Sequence, residues 1–95
     1  MTAPEPTILL VEDNEMNRDM LVRRLQRAGY RVATAGDGEA ALIAMREQQP
    51  AVVLMDMNLP IKDGWTACRE AQQDASIAVI PIIALTAHAM EEDKH

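Results

Sequence analysis

Three stretches of the chain are apolar almost without a break, and each stops on a polar side chain. Thr7-Ile8-Leu9-Leu10-Val11 ends at Glu12-Asp13, Ala51-Val52-Val53-Leu54-Met55 ends at Asp56, and residues 79–85 end at Thr86. A strand buried on both faces reads this way. A fourth stretch, Tyr30-Arg31-Val32-Ala33-Thr34-Ala35, alternates as a strand with one more polar face does. Pro81 lies near the start of the last run and cannot donate to a sheet ladder.

Between these runs the period becomes helical. Over residues 14–28, Met16, Met20, Leu21, Leu25 and Ala28 form an apolar stripe, with Arg18, Asp19, Arg23 and Arg24 between them. Gly29 is placed to stop that helix. Asp37 can cap a second helix over residues 39–49, whose stripe is Ala41, Leu42 and Met45 and which Pro50 ends. Residues 57–64 have loop chemistry, residues 65–73 read as a third helix, and a further helix is expected to begin near Ala87. The order β-α-β-α-β-α-β predicts an α/β fold: a doubly wound parallel sheet with helices on both faces and right-handed crossovers.

The chain has 95 residues, enough for one domain. Residues 1–6 are expected to be a flexible N-terminus, and residues 7–95 the domain. It is 48% hydrophobic and 25% charged, a globular balance. No apolar run is long enough to span a membrane. The start of the chain has neither the basic flank nor the apolar core of a signal peptide. One cysteine, Cys68, excludes an internal disulfide framework and a cysteine-rich zinc site, and fits a reducing cytoplasm. With 15 acids against 9 bases the formal charge is −6, which disfavours nucleic-acid binding. One Tyr and one Trp make a poor base-stacking platform.

Charge matters more for where it sits. In an open parallel sheet, ligands bind beyond the carboxyl ends of the strands. If the strands are neighbours, Glu12, Asp13, Asp56 and Thr86 share one rim. A single acid at a strand end is usually a solvated loop residue; three runs that all end this way point to a site. Three carboxylates in one cleft repel one another and invite a hard divalent cation such as Mg²⁺. A carboxylate beside that cation can attack a phosphoryl group, and the Thr86 hydroxyl can donate to a phosphoryl oxygen.

These residues carry a resemblance. Ile8-Leu9-Leu10-Val11-Glu12-Asp13-Asn14, then Val53-Leu54-Met55-Asp56-Met57-Asn58-Leu59-Pro60 with Gly64, then Pro81-Ile82-Ile83-Ala84-Leu85-Thr86-Ala87 resemble the receiver domain of two-component response regulators. The resemblance implies a flavodoxin-like (CheY-like) sheet of order 2-1-3-4. It implies that Asp56 is the phosphoacceptor, served by a histidine kinase or a histidine phosphotransfer protein. Glu12, Asp13, Asp56 and the backbone carbonyl of Asn58 would bind Mg²⁺. Thr86 would be the switch hydroxyl, Ala87 the small residue beside it, and Pro60 and Gly64 the residues that shape the loop after Asp56. Met57 would lie at the edge of the site.

The departures from the family are equally specific. The fifth strand, its lysine and the fifth helix have no counterpart in this sequence, a deficit of about 30 residues. Lys94 is in the tail and Lys62 is in the wrong loop, so no residue here matches the switch lysine. In the order 2-1-3-4 the strand 82–85 becomes an apolar edge, from which self-association is expected. The rival reading is a dimerisation or partner-binding module that works without phosphate. An aspartyl-phosphate hydrolase is weaker still, because so short a chain offers no substrate pocket. The domain is thus read as a signalling domain and not an enzyme, with no nucleic-acid or membrane partner. Trp65 is expected to cover part of the loop, Cys68 to be a small packing residue, and the seven methionines to fill a core that lacks Phe.

Overall fold

A computed structural model describes residues 6–57, 59 and 61–85. The elements run β1 (Thr7–Val11), α1 (Glu15–Arg27), β2 (Arg31–Ala35), α2 (Gly38–Gln48), β3 (Val52–Asp56), α3 (Gly64–Gln73) and β4 (Ile82–Leu85). The four strands are all parallel, in the order β2-β1-β3-β4. The α/β fold class, the element order and the strand order are those the sequence implies. The expected helix near Ala87 lies outside the described residues, as does most of the expected flexible N-terminus.

Each helix begins on an Asn or Asp whose side chain accepts from a backbone N–H three residues on. Asn14 accepts from Asn17 at 3.0 Å, Asp37 from Ala40 at 2.7 Å and Asp63 from Thr66 at 2.8 Å. Such a cap satisfies one of the N–H groups that a first helical turn leaves without a partner. Helix α2 ends on Gln49, which adopts the left-handed conformation at φ 48°, and Pro50 follows. Left-handed closure is the common way for a helix to stop.

Side chains alternate across the sheet, so its two faces carry different residues. Leu9, Val11, Val53 and Met55 point to one face and are buried with Ala41, Leu42 and Met45 of α2 and Ala67 and Ala71 of α3. Ile8 and Leu10 point to the other, where α1 packs over β1 and β2. That second face is covered only in part. Leu10, Leu54 and Ile83 form one row across β1, β3 and β4; Leu10 is buried, Leu54 half-buried and Ile83 52% exposed.

Two expectations are corrected here. No residue of α1 is buried: Leu21, Val22 and Leu25 are half-covered, while Met16 is 82% exposed. Of the methionines among the described residues, Met45, Met55 and Met57 are buried as core filler, while Met16 and Met20 are exposed. The apolar run 79–85 is not one strand buried on both faces: the strand is Ile82–Leu85, the bounds expected for the edge, and none of its residues is fully buried. Residues 75–80 form turns, with Ile77 donating to the carbonyl of Asp74 and Ile80 to that of Ile77. Ile77 and Ile80 drop into the core, and Val79 faces outward. The apolar run here is a packed turn followed by a strand, a distinction that periodicity does not make.

Candidate functional site

Val11 and Met55 are register partners, so the residues that follow them emerge side by side at the carboxyl end of the sheet. Glu12 N–H still donates to the Ala35 carbonyl at 3.0 Å, which holds its backbone in line with β2. Asp56 is the last residue of β3 and is half-buried, Glu12 is 9% exposed and Asp13 is open to solvent. Each offers a carboxylate oxygen, and these oxygens all lie within 4.8 Å of one another.

This crowding has an electrostatic consequence. Burial pushes the Glu12 carboxyl up from 4.5 to about 7. Part of that rise comes from a hydrogen bond between the Glu12 and Asp56 carboxyl groups and from the charges of Asp56 and Asp13. The amide of Asn17 works in the opposite sense, donating from Nδ2 to Glu12 Oε1 at 3.1 Å. Arg18 donates from its guanidinium to the Glu12 backbone carbonyl at 3.0 Å. The first turns of α1 thus hold both ends of Glu12. Sequence reading passed over Asn17 and Arg18; the usable signal was two polar residues one turn into a helix capped directly after the acidic pair.

The oxygen set suits a divalent cation. Three carboxylate oxygens converge, and burial together with the neighbouring carboxylates pushes Glu12 toward its neutral form. A hard ion with oxygen ligands fits this donor set better than a soft one.

Beyond Asp56 the chain turns sharply. A Cβ on Gly64 would meet Met57 Sδ at 2.6 Å and the Asp56 carbonyl oxygen at 2.7 Å, so only glycine allows α3 to start this close to β3. Met57, the residue after Asp56, is buried beneath that start. Trp65 is 65% exposed. Asp63 caps α3, and the Thr66 backbone N–H holds its carboxyl below the usual range. Cys68 packs against the core, and burial pushes its thiol up, a packing residue's environment. The Lys62 ammonium pairs with Glu39 and Glu70. Asn58, Pro60, Thr86 and Ala87 lie outside the described residues. Among the described residues no helix is long and apolar enough to cross a membrane.

Comparison with known proteins agrees with this geometry. The family profile of the response regulator receiver domain matches residues 8–95. The chain is 43% identical over 82 residues to the transcriptional regulatory protein AfsQ1 of Streptomyces coelicolor, covering 86% of this chain and 35% of AfsQ1. It is 35% identical to the transcriptional regulatory protein GltR of Pseudomonas aeruginosa, covering 99% of this chain and 39% of GltR. It therefore spans little more than a third of these relatives. Among solved structures, the receiver domain of the sensor histidine kinase PA1611 from Pseudomonas aeruginosa, with a magnesium ion coordinated in its active-site cleft, is 40% identical. The TM-score is 0.86, and the match covers 96% of this chain and 75% of that one. The chemotaxis response regulator CheY4 of Vibrio cholerae is 31% identical with a TM-score of 0.84, covering 96% of this chain and 76% of that one.

Proposed function

The chain belongs to the response regulator receiver family, and from that premise we propose that Asp56 is its phosphoacceptor. The observation that carries the reading is the convergence of the Glu12, Asp13 and Asp56 carboxylates at the ends of adjacent parallel strands. Receiver domains are signalling domains, and in this one Asp56 takes its phosphoryl group from a phosphohistidine on a histidine kinase or histidine phosphotransfer protein. An Asp56 carboxylate oxygen attacks phosphorus, the P–N bond breaks, and the imidazole leaves as the neutral base or takes up a proton. Beyond this transfer the domain supplies only the self-catalysed return of phosphate to water.

Glu12, Asp13 and Asp56 would hold Mg²⁺, with the backbone carbonyl of Asn58 as a further ligand. The bound cation supplies charge neutralisation on the transferring oxygens. Asn17 orients the Glu12 carboxylate, and Arg18 holds the backbone that carries it. Thr86 donates its hydroxyl to the phosphoryl group, Ala87 leaves room for it, and Pro60 and Gly64 shape the loop. Output runs through protein contacts in the cytoplasm.

The second reading, a partner module independent of phosphate, is favoured by one observation. Among the described residues β4 pairs only with β3, and it carries the exposed Ile83 on the face toward α1.

The test is intact mass after incubation with a small phosphodonor, with and without Mg²⁺, on wild type and Asp56→Asn. A gain of one phosphoryl group that needs Mg²⁺ and disappears in the variant is the expected result. No gain in a folded sample favours the partner module.

A further inference from the structure

Between Asp56 and α3 one described residue has an unusual backbone. Ile61 sits at φ 66°, in the left-handed region that β-branched residues rarely adopt. Its side chain is 86% exposed, so packing of Ile61 itself does not hold the turn. A backbone kept there must be held by its surroundings.

The next residue supplies the hold, twice over. The Lys62 carbonyl accepts from the Gly38 N–H at 3.0 Å, at the first residue of α2. A Cβ on Gly38 would meet that carbonyl oxygen at 2.1 Å, so the approach is as close as backbone allows. The Lys62 side chain then reaches in two directions. Its Nζ lies 2.9 Å from Glu39 Oε2 on α2 and 2.5 Å from Glu70 Oε2 on α3. Its side chain is only 21% exposed. At the other end of the segment the Gly64 N–H donates to the Met57 carbonyl at 3.2 Å.

We propose that Lys62 is a positioning residue for the Asp56 site, clamping α2 to α3 and so holding Gly64 at the start of α3 against Asp56 and Met57. A lone exposed ion pair contributes little. Here one ammonium at the end of a mostly covered side chain serves two carboxylates on different helices, while the same residue's carbonyl anchors the backbone. Removing the ammonium leaves Glu39 and Glu70 facing each other without a counter-charge, and frees a strained turn five residues from Asp56. Loss of a group bonded directly to a metal ligand typically costs about tenfold to a hundredfold in metal affinity, and Lys62, which acts one step further out, is expected at the low end of that range. The inference rests on the reading of the site given above.

The experiment titrates MgCl₂ into the full chain by calorimetry for wild type, Lys62→Met, Lys62→Arg and Glu70→Gln. Thermal unfolding is followed in parallel. Amide hydrogen exchange over residues 57–63 is measured without metal. Lys62→Met is expected to weaken Mg²⁺ binding by about tenfold and to speed exchange in the segment. Lys62→Arg restores both. Glu70→Gln, which removes one carboxylate and keeps the lysine, gives a smaller loss in a protein that remains folded, and it decides the matter if Lys62→Met does not fold. Wild-type affinity and exchange in folded Lys62→Met, or in Glu70→Gln if that variant must decide, overturn the inference while leaving the Asp56 reading intact. Failure of Lys62→Arg to restore binding also overturns it. If wild type binds no Mg²⁺, the reading of the site falls and this inference with it.

Discussion

The two faces of the sheet are made from the same strands but are finished differently. Beneath α2 and α3, Leu9, Val11, Val53 and Met55 are buried along with Leu42, Met45 and Ile77. On the face toward α1, burial is complete at Ile8 and Leu10, partial at Leu54 and lost at Ile83. A helix removes water only from the strands it lies over, and α1 lies over β1 and β2. An apolar residue on β4 is thus no evidence of a core there; coverage is a property of the layer, not of the strand. The acidic cleft stands at the rim where the two faces meet, and it inherits the tight packing of one of them.

The sharpest way to break this contrast is a matched pair of truncations. Leu42→Ala on the closed face should cost about 2–5 kcal/mol in denaturant unfolding, the range for a buried leucine. Met20→Ala on the open face should cost less than about 0.5 kcal/mol. Equal losses would mean that α1 is as well packed as α2.

The rim has its own signature in pH. The folded state holds the Glu12 proton up to about pH 7, against 4.5 ordinarily, so between those values it binds more protons than the unfolded chain. Without metal, stability should fall as pH rises from 4.5 to about 7, by up to about 3 kcal/mol, and level off above. Glu12→Gln should flatten that slope in unfolding measured across the window.

Gly38→Ala tests the closed face where it meets the loop. The added Cβ would press on the Lys62 carbonyl, and a loss of about 1–3 kcal/mol is expected by thermal or chemical melt. A neutral result would show that the segment can move away from α2. Asn14→Ala removes the cap of the least buried helix and should cost about 1 kcal/mol, read most simply as lost helicity.

The smallest effect on stability is expected at the open edge. Ile83→Lys should change stability by less than about 0.5 kcal/mol. If β4 pairs with a second copy, as its edge position suggests, the same change should lower the mass seen by light scattering at high concentration. A wild type that stays monomeric there would remove the case for edge pairing.

Much of the fold was readable from local pattern. β1 and β3 showed as continuous apolar runs, the start of α2 as a capping Asp37, and the rim as acids placed directly after strands. The misreadings share one physical cause. Ile77, Val79 and Ile80 have similar hydrophobicity, and only the path of the turn after α3 decides that two are buried and one is exposed. Met16 and Met57 are the same residue type, one open to solvent on α1 and one sealed under Gly64. The amide of Asn17 and the ammonium of Lys62 had no distinguishing mark in sequence, because their partners come from other elements.

By itself, the sequence determined the order of elements, the parallel sheet and the placing of acids at strand ends, since these follow from short-range periodicity and from chain connectivity. The tertiary structure alone decided which apolar residues lose water, how far Glu12 is driven toward its neutral form, and which helices share Lys62. Those outcomes depend on distances between residues far apart in the chain, and no local pattern encodes them.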